Sequence, residues 1–206
     1  MKILEVKSLA IPDVKLLKYQ RFPDERGYFT ETYRREDIAK VIPELENVGQ
    51  SNESSSKRGT VRGLHFQWEP AQSKFIRVLQ GTVIDVLLDI RKGSPYFGKI
   101  VGYELKSDLS RDFGEWIWGS KGFAHGLFFM EDGLVEYYND VAYNPQCEGS
   151  ISPLSQDIDW SLFDAQLKVK VDEILKNPII TDKDRNGFTV EAWKNSPEST
   201  NFTYSS

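Results

Sequence analysis

The chain carries two histidines, His65 and His125, sixty positions apart. They form neither a His-x-His nor a His-x-x-x-His pair. Transition-metal catalysis in β-barrel proteins usually draws on two or three histidines with a carboxylate, often close in sequence. The pattern therefore speaks against a metal oxygenase or a metal isomerase, and no metal site is expected. There is also no Gly-x-Ser-x-Gly elbow, no Gly-x-x-x-x-Gly-Lys phosphate loop and no Gly-x-Gly-x-x-Gly dinucleotide fingerprint. What remains is acid and base chemistry by side chains, without a cofactor.

Two segments present the histidines. In Arg62-Gly63-Leu64-His65-Phe66-Gln67 the imidazole follows a glycine and an arginine. Strict strand alternation predicts Arg62 and Leu64 on one face and Gly63 and His65 on the other, with Gly63 leaving open space beside the ring. Such an imidazole suits a base that must meet a bulky substrate. The structural alternative is a half-buried histidine satisfied by a backbone carbonyl. In Lys121-Gly122-Phe123-Ala124-His125-Gly126 the second histidine stands before a glycine at a loop-to-strand junction, where a turn histidine is the alternative.

The elements that must position these residues read as short strands separated by turn residues. Residues 75–79, the turn Gln80-Gly81, residues 82–90 and the breaker Lys92-Gly93-Ser94-Pro95 form a strand, a tight turn and a strand. Further strands are predicted at 99–105, 115–118, 126–130 and 134–138. Such spacing points to an all-β sandwich or barrel. Helical periodicity is confined to 34–42 and 169–176, each ending before a proline. No internal repeat or linker is visible, so residues 1–190 read as one domain. Residues 191–206 read as a polar, flexible tail.

Composition sets the outer limits. A chain of 206 residues with 39% hydrophobic and 28% charged residues suits a globular protein able to bury a core. The formal charge of −5 argues against a nucleic-acid partner, which usually demands a basic face. No apolar run has signal-peptide or membrane-spanning length. Cys147 is the only cysteine, so no intrachain disulfide is possible and a cytoplasmic location is expected.

Six ordered segments resemble the dTDP-4-dehydrorhamnose 3,5-epimerase family. They are Asp24-Glu25-Arg26-Gly27-Tyr28-Phe29-Thr30-Glu31, Gln50-Ser51-Asn52, residues 62–67, Gln72-Ser73-Lys74, residues 85–91, and Gly122-Phe123-Ala124-His125-Gly126. The resemblance covers about residues 10 to 165. The resemblance implies a double-stranded β-helix, a cupin-like jelly roll with a few short peripheral helices, forming a homodimer by strand exchange. It implies a nucleotide-linked 4-keto-6-deoxyhexose as substrate, seated in the barrel mouth, and no cofactor. By carry-over His65 is the base, Tyr137 the acid and Lys74 the group at the ketone oxygen. Arg26, Phe29, Glu31, Gln50, Asn52, Arg62, His125 and Tyr143 would hold the substrate.

The chemistry behind these roles is general. A hydrogen beside a carbonyl becomes removable when the charge arriving on oxygen is stabilised as it forms, the task for Lys74 and for Arg62. Neutral imidazole accepts a proton near physiological pH. Inversion needs an acid on the opposite ring face, and alternation lets only one of Tyr137 and Tyr138 face the cavity.

Three positions depart from the family pattern. After Pro153-Leu154, Ser155 stands where an aspartate paired with the base is expected, leaving Asp157 or Asp85 as possible orienters. Tyr138 replaces a lysine, and Ser73 a glycine. Two alternatives follow: a nucleotide-ketosugar 3,4-ketoisomerase, or a non-catalytic jelly roll that binds sugar nucleotides.

Overall fold

The computed structural model describes residues 1–204. Thirteen strands follow in order: β1 (Ile3–Ser8), β2 (Val14–Gln20), β3 (Phe22–Asp24), β4 (Gly27–Phe29), β5 (Gln50–Ser56), β6 (Val61–Gln67), β7 (Lys74–Gln80), β8 (Thr82–Asp89), β9 (Ile100–Lys106), β10 (Phe113–Gly119), β11 (Phe123–Phe129), β12 (Gly133–Asn139) and β13 (Glu148–Ser150). The helices are α1 (Arg35–Ile38), α2 (Ala165–Leu175), α3 (Asp182–Arg185) and α4 (Val190–Asn195). No helix among the described residues is long and apolar enough to cross a membrane.

Two antiparallel sheets face each other as a jelly roll. One has the order β1-β2-β10-β7-β12-β5 and the other β13-β6-β11-β8-β9, while β3 and β4 form a separate hairpin. Between the sheets lie Leu16, Ile76, Ile117 and Val135 from the first and Val83, Leu87, Val101, Leu127 and Phe129 from the second. The outer face of the five-stranded sheet is covered too, by Val171, Val190, Trp193 and Phe202. That double burial explains β8, whose every residue is buried and whose sequence is therefore a nearly continuous apolar run rather than an alternation. The turn between β7 and β8 depends on Gly81, at φ +81°, where a side chain would meet the Asp132 carbonyl oxygen at 2.5 Å.

The C-terminal segment differs from the expected flexible tail. Residues after 190 fold back as α4 and a 3₁₀ turn, Pro197–Asn201. Trp193 is fully buried, and its indole donates to the Ile90 carbonyl at 3.1 Å. Phe202 packs beside it, and the Lys92 amide donates to the Phe202 carbonyl at 2.8 Å. Two aromatic anchors outweigh the polar average of the segment, because each buries a large apolar surface. The last two residues of the expected tail, 205 and 206, lie outside the described residues.

Candidate active site

At one end of the sandwich the apolar filling gives way to polar side chains. A cavity of about 230 Å³ is lined by Gln50, Asn52, His65, Gln67, Gln72, Lys74, Tyr137, Asn139, Tyr143 and Glu148, among others. A smaller chamber of about 130 Å³ shares His65, Lys74 and Tyr137 and adds Ser54, Arg62, His125 and Leu127. A groove beside them, bordered by Arg62, His65, Ile179, Thr181, Lys183 and Asp184, places His65 where all three spaces meet.

The strand carrying His65 is not regular. Cα partners run His65 with His125 and Arg62 with Leu127, so three steps on β6 match two on β11. This bulge turns Arg62 and His65 to the same cavity, while Leu64 enters the outer apolar layer. The expected strict alternation therefore fails here. Gly63, at φ +113°, also does not leave open space: a Cβ there would lie 2.5 Å from the His125 carbonyl oxygen. The glycine is needed because two backbones press together.

His65 has a carboxylate partner that sequence reasoning missed. Its Nε2 lies 2.6 Å from Asp184 Oδ1, and Asp184 Oδ2 accepts the Gly63 amide at 3.2 Å. Burial pushes the Asp184 carboxyl up, but hydrogen bonds from His65, Gly63 and Thr181 and the imidazole's charge outweigh it and hold the carboxyl below its ordinary value. With Nε2 engaged, Nδ1 is the nitrogen left to accept a proton. Neither alternative orienter reaches this ring. Ser155 donates to Asp157 at 2.5 Å, Asp157 accepts the backbone amides of Val190 and Glu191, and Asp85 lies 2.8 Å from His125 Nε2. The serine at 155 therefore costs His65 nothing.

Tyr137 and Lys74 project from neighbouring strands of the opposite sheet, with Tyr137 paired to Ile76 and Asn139 to Lys74. Tyr138 faces the other way, its ring 5.1 Å from Trp116 and 5.5 Å from Tyr33. Burial raises the Tyr137 phenol, so it holds its proton at neutral pH. Burial lowers the Lys74 ammonium to about 8, against the opposing charges of Asp85 and Glu148. Tyr143, whose phenol is tied to Glu148, is pushed up to about 12. Ser73 donates its amide to Asp140 at 2.7 Å, a contact any residue other than proline can make.

Of the expected binding residues, Gln50, Asn52, Arg62, His125 and Tyr143 join this region. Gln50 ties two of them together, donating to Asn52 Oδ1 at 2.7 Å and accepting the Tyr143 amide at 2.8 Å. Arg26, Phe29 and Glu31 do not line it. Arg26 lies on the β3–β4 hairpin, paired with Asp24 at 2.7 Å; Phe29 is 67% exposed; Glu31 accepts from the N-terminal amine at 3.0 Å. Glu148 and Lys183, ion-paired with each other at the cavity edge, were not anticipated.

The profile of the dTDP-4-dehydrorhamnose 3,5-epimerase family matches residues 8–192. The chain belongs to the dTDP-4-dehydrorhamnose 3,5-epimerase family. Membership makes it an isomerase of the carbohydrate-epimerase type. The dTDP-4-dehydrorhamnose 3,5-epimerase of Shigella flexneri is 36% identical over 188 residues, covering 89% of this chain and 94% of that one. The solved dTDP-4-dehydrorhamnose 3,5-epimerase from Sulfolobus tokodaii superposes with a TM-score of 0.74 at 37% identity, over 93% of this chain and 97% of that one. The dTDP-6-deoxy-D-glucose-3,5-epimerase of Legionella pneumophila, solved with dTDP-4-keto-L-rhamnose, gives 0.77 at 29% identity, over 91% and 93%. These family epimerases share the jelly roll described above.

Proposed function

We propose that this epimerase inverts C3, C5 or both of a dTDP-linked 4-keto-6-deoxyhexose by proton exchange between His65 and Tyr137. The observation that carries the reading is a single polar cavity entered by a carboxylate-backed imidazole from one sheet and by a protonated phenol and an ammonium from the other. His65 Nδ1 takes the proton from the carbon beside the ketone, and the electron pair moves to the ketone oxygen. Lys74 steadies that enolate, a contact stronger in the transition state than in the ground state. Tyr137 then delivers its proton to the opposite ring face. Solvent removes the proton from His65 and restores that of Tyr137, completing one turnover.

Gln50, Asn52, Arg62 and Tyr143 would hold the nucleotide portion, with Arg62 offering a planar fork for a phosphate. For Arg26, Phe29 and Glu31 the reading requires a second copy of the chain. The exposed β3–β4 hairpin, carrying Phe22, Tyr28 and Phe29, would reach the neighbour's cavity in a homodimer. The Asp184 carboxylate beside His65 supports the catalytic reading over that of a non-catalytic jelly roll.

The test is incubation in deuterated water with dTDP-4-keto-6-deoxyglucose, followed by NMR at C3 and C5. Deuterium is expected at one or both carbons of an inverted product. Absence of label at both carbons, here and with related nucleotide ketosugars, defeats the reading.

A further inference from the structure

Asp85 stands in an unusual place for an acidic residue. On β8 it lies between Val83 and Leu87, both in the apolar filling between the sheets, and it is fully buried. Along the pair of β8 and β11, Asp85 opposes Leu127, and His125 opposes Leu87. His125 therefore reaches Asp85 on the diagonal, at 2.8 Å from Nε2 to Oδ2. The other oxygen, Oδ1, is buried without a hydrogen-bond partner among the described residues. A carboxylate so enclosed is costly unless a charge nearby compensates it.

Lys74 carries a charge that acts on Asp85 through space, without an ion pair between them. It projects from the inner face of the opposite sheet and lines the cavity with His125, where the charges of Asp85 and Glu148 favour its ammonium form. The charged and titratable groups around it are Asp85 on β8, Glu148 on β13, Lys183 on α3, His65 and Arg62 on β6, His125 on β11 and Tyr137 on β12. Glu148 is already paired with Lys183, and His65 is committed to Asp184. Asp85, bonded only to the His125 imidazole among the described residues, is left as the carboxyl that acts on Lys74.

We infer that Asp85 is a positioning residue, whose buried charge keeps Lys74 protonated and fixes His125 through Nε2, so that the cavity presents a cation where the enolate forms. This inference rests on the role given to Lys74 in the epimerase reading. Burial already draws Lys74 down to about 8, and burial moves the Asp85 carboxyl up and the His125 imidazole down. Without the anion the ammonium would lose its proton at a still lower pH, and its stabilisation of the enolate with it. His125, with Nε2 held by the carboxylate, keeps Nδ1 as an acceptor.

The test compares kcat/KM against pH for the wild type and Asp85→Asn. The alkaline limb is expected to move down by about one pH unit. That is roughly a tenfold loss above the limb, with kcat/KM converging on wild type below it. In a Lys74→Arg background, where the cation does not titrate in this range, Asp85→Asn should move no limb. An equal loss at every pH would mark Asp85 as merely structural and overturn the inference.

A second measurement needs neither turnover nor a folded Asp85→Asn variant. The His125 imidazole is titrated by NMR in substrate-free wild type and Lys74→Met, with His65→Asn used to assign the two histidines. Removing the ammonium should raise the His125 pKa, because Lys74 opposes its protonation. An unchanged His125 titration overturns the coupling. A protein inactive on every nucleotide ketosugar removes the epimerase reading instead, while the His125 titration still decides the coupling.

Discussion

Replacing His65 by asparagine is expected to lower kcat for epimerisation by about 10³-fold, within the span assigned to general acid–base groups. Asparagine fills a similar volume but accepts no proton, so both inversion and deuterium uptake should disappear together. The loss should not come from unfolding. His65 is half-buried and opens onto the cavity, so the far-ultraviolet circular dichroism and the melting temperature should stay near wild type. Asp184→Asn should weaken catalysis as well. A carboxylate 2.6 Å from Nε2 fixes the orientation of the ring and stabilises the imidazolium that forms as the proton is taken. Asparagine keeps the volume but loses the charge, so kcat should fall while the melting temperature stays near wild type, and inversion and deuterium uptake should fall together. Full activity in His65→Asn would remove the base from the account.

Tyr137→Phe separates proton removal from proton return. The phenylalanine keeps the ring and loses only the hydroxyl, so substrate should still bind and His65 should still remove the proton. With no acid on the far face, the proton returns from the side it left. Deuterium should therefore enter recovered starting sugar with its configuration retained, while inverted product falls by about 10²- to 10⁴-fold. Coupled NMR and chiral analysis of the sugar after turnover in deuterated water reads both quantities. Equal loss of exchange and inversion would mean that Tyr137 serves binding or the first proton transfer instead.

The fold was legible because its strands carry their own punctuation. The turn at Gln80-Gly81 and the breaker from 92 to 95 bracketed β8, and β12 was expected at 134–138 against the observed Gly133–Asn139. The helix expected at 169–176 begins earlier, at Ala165, because Asp164 caps it by accepting the Gln166 and Leu167 amides. The tail was misread because average polarity hid Trp193 and Phe202. At β6 the period-2 rule failed at Gly63, whose bulge is a response to the β11 backbone and leaves no local signature beyond the glycine itself.

The site divides in a similar way. His65 and Lys74 lie within the ordered motifs, and Tyr137 comes from the family resemblance, because alternation says only that one of Tyr137 and Tyr138 faces the cavity; the structure brings the three to one cavity. Asp184 was missed because it lies 119 positions from His65. Its neighbours Thr181 and Asp182 read locally as nothing more than a helix start. Ser155 stands in the place of the expected aspartate, but its hydroxyl is engaged with Asp157 instead. Contacts of that separation are made by the fold, and a single sequence holds no local trace of them.

The central claim is geometric: base and acid address opposite faces of one sugar ring. A crystal structure with a dTDP-linked deoxyhexose bound tests it most directly. The account predicts the hexose ring between His65 and Tyr137, with Nδ1 and the phenol on opposing faces and the C4 oxygen within hydrogen-bond distance of Lys74. A ring lodged outside the cavity, or flanked by both groups on one face, would contradict it.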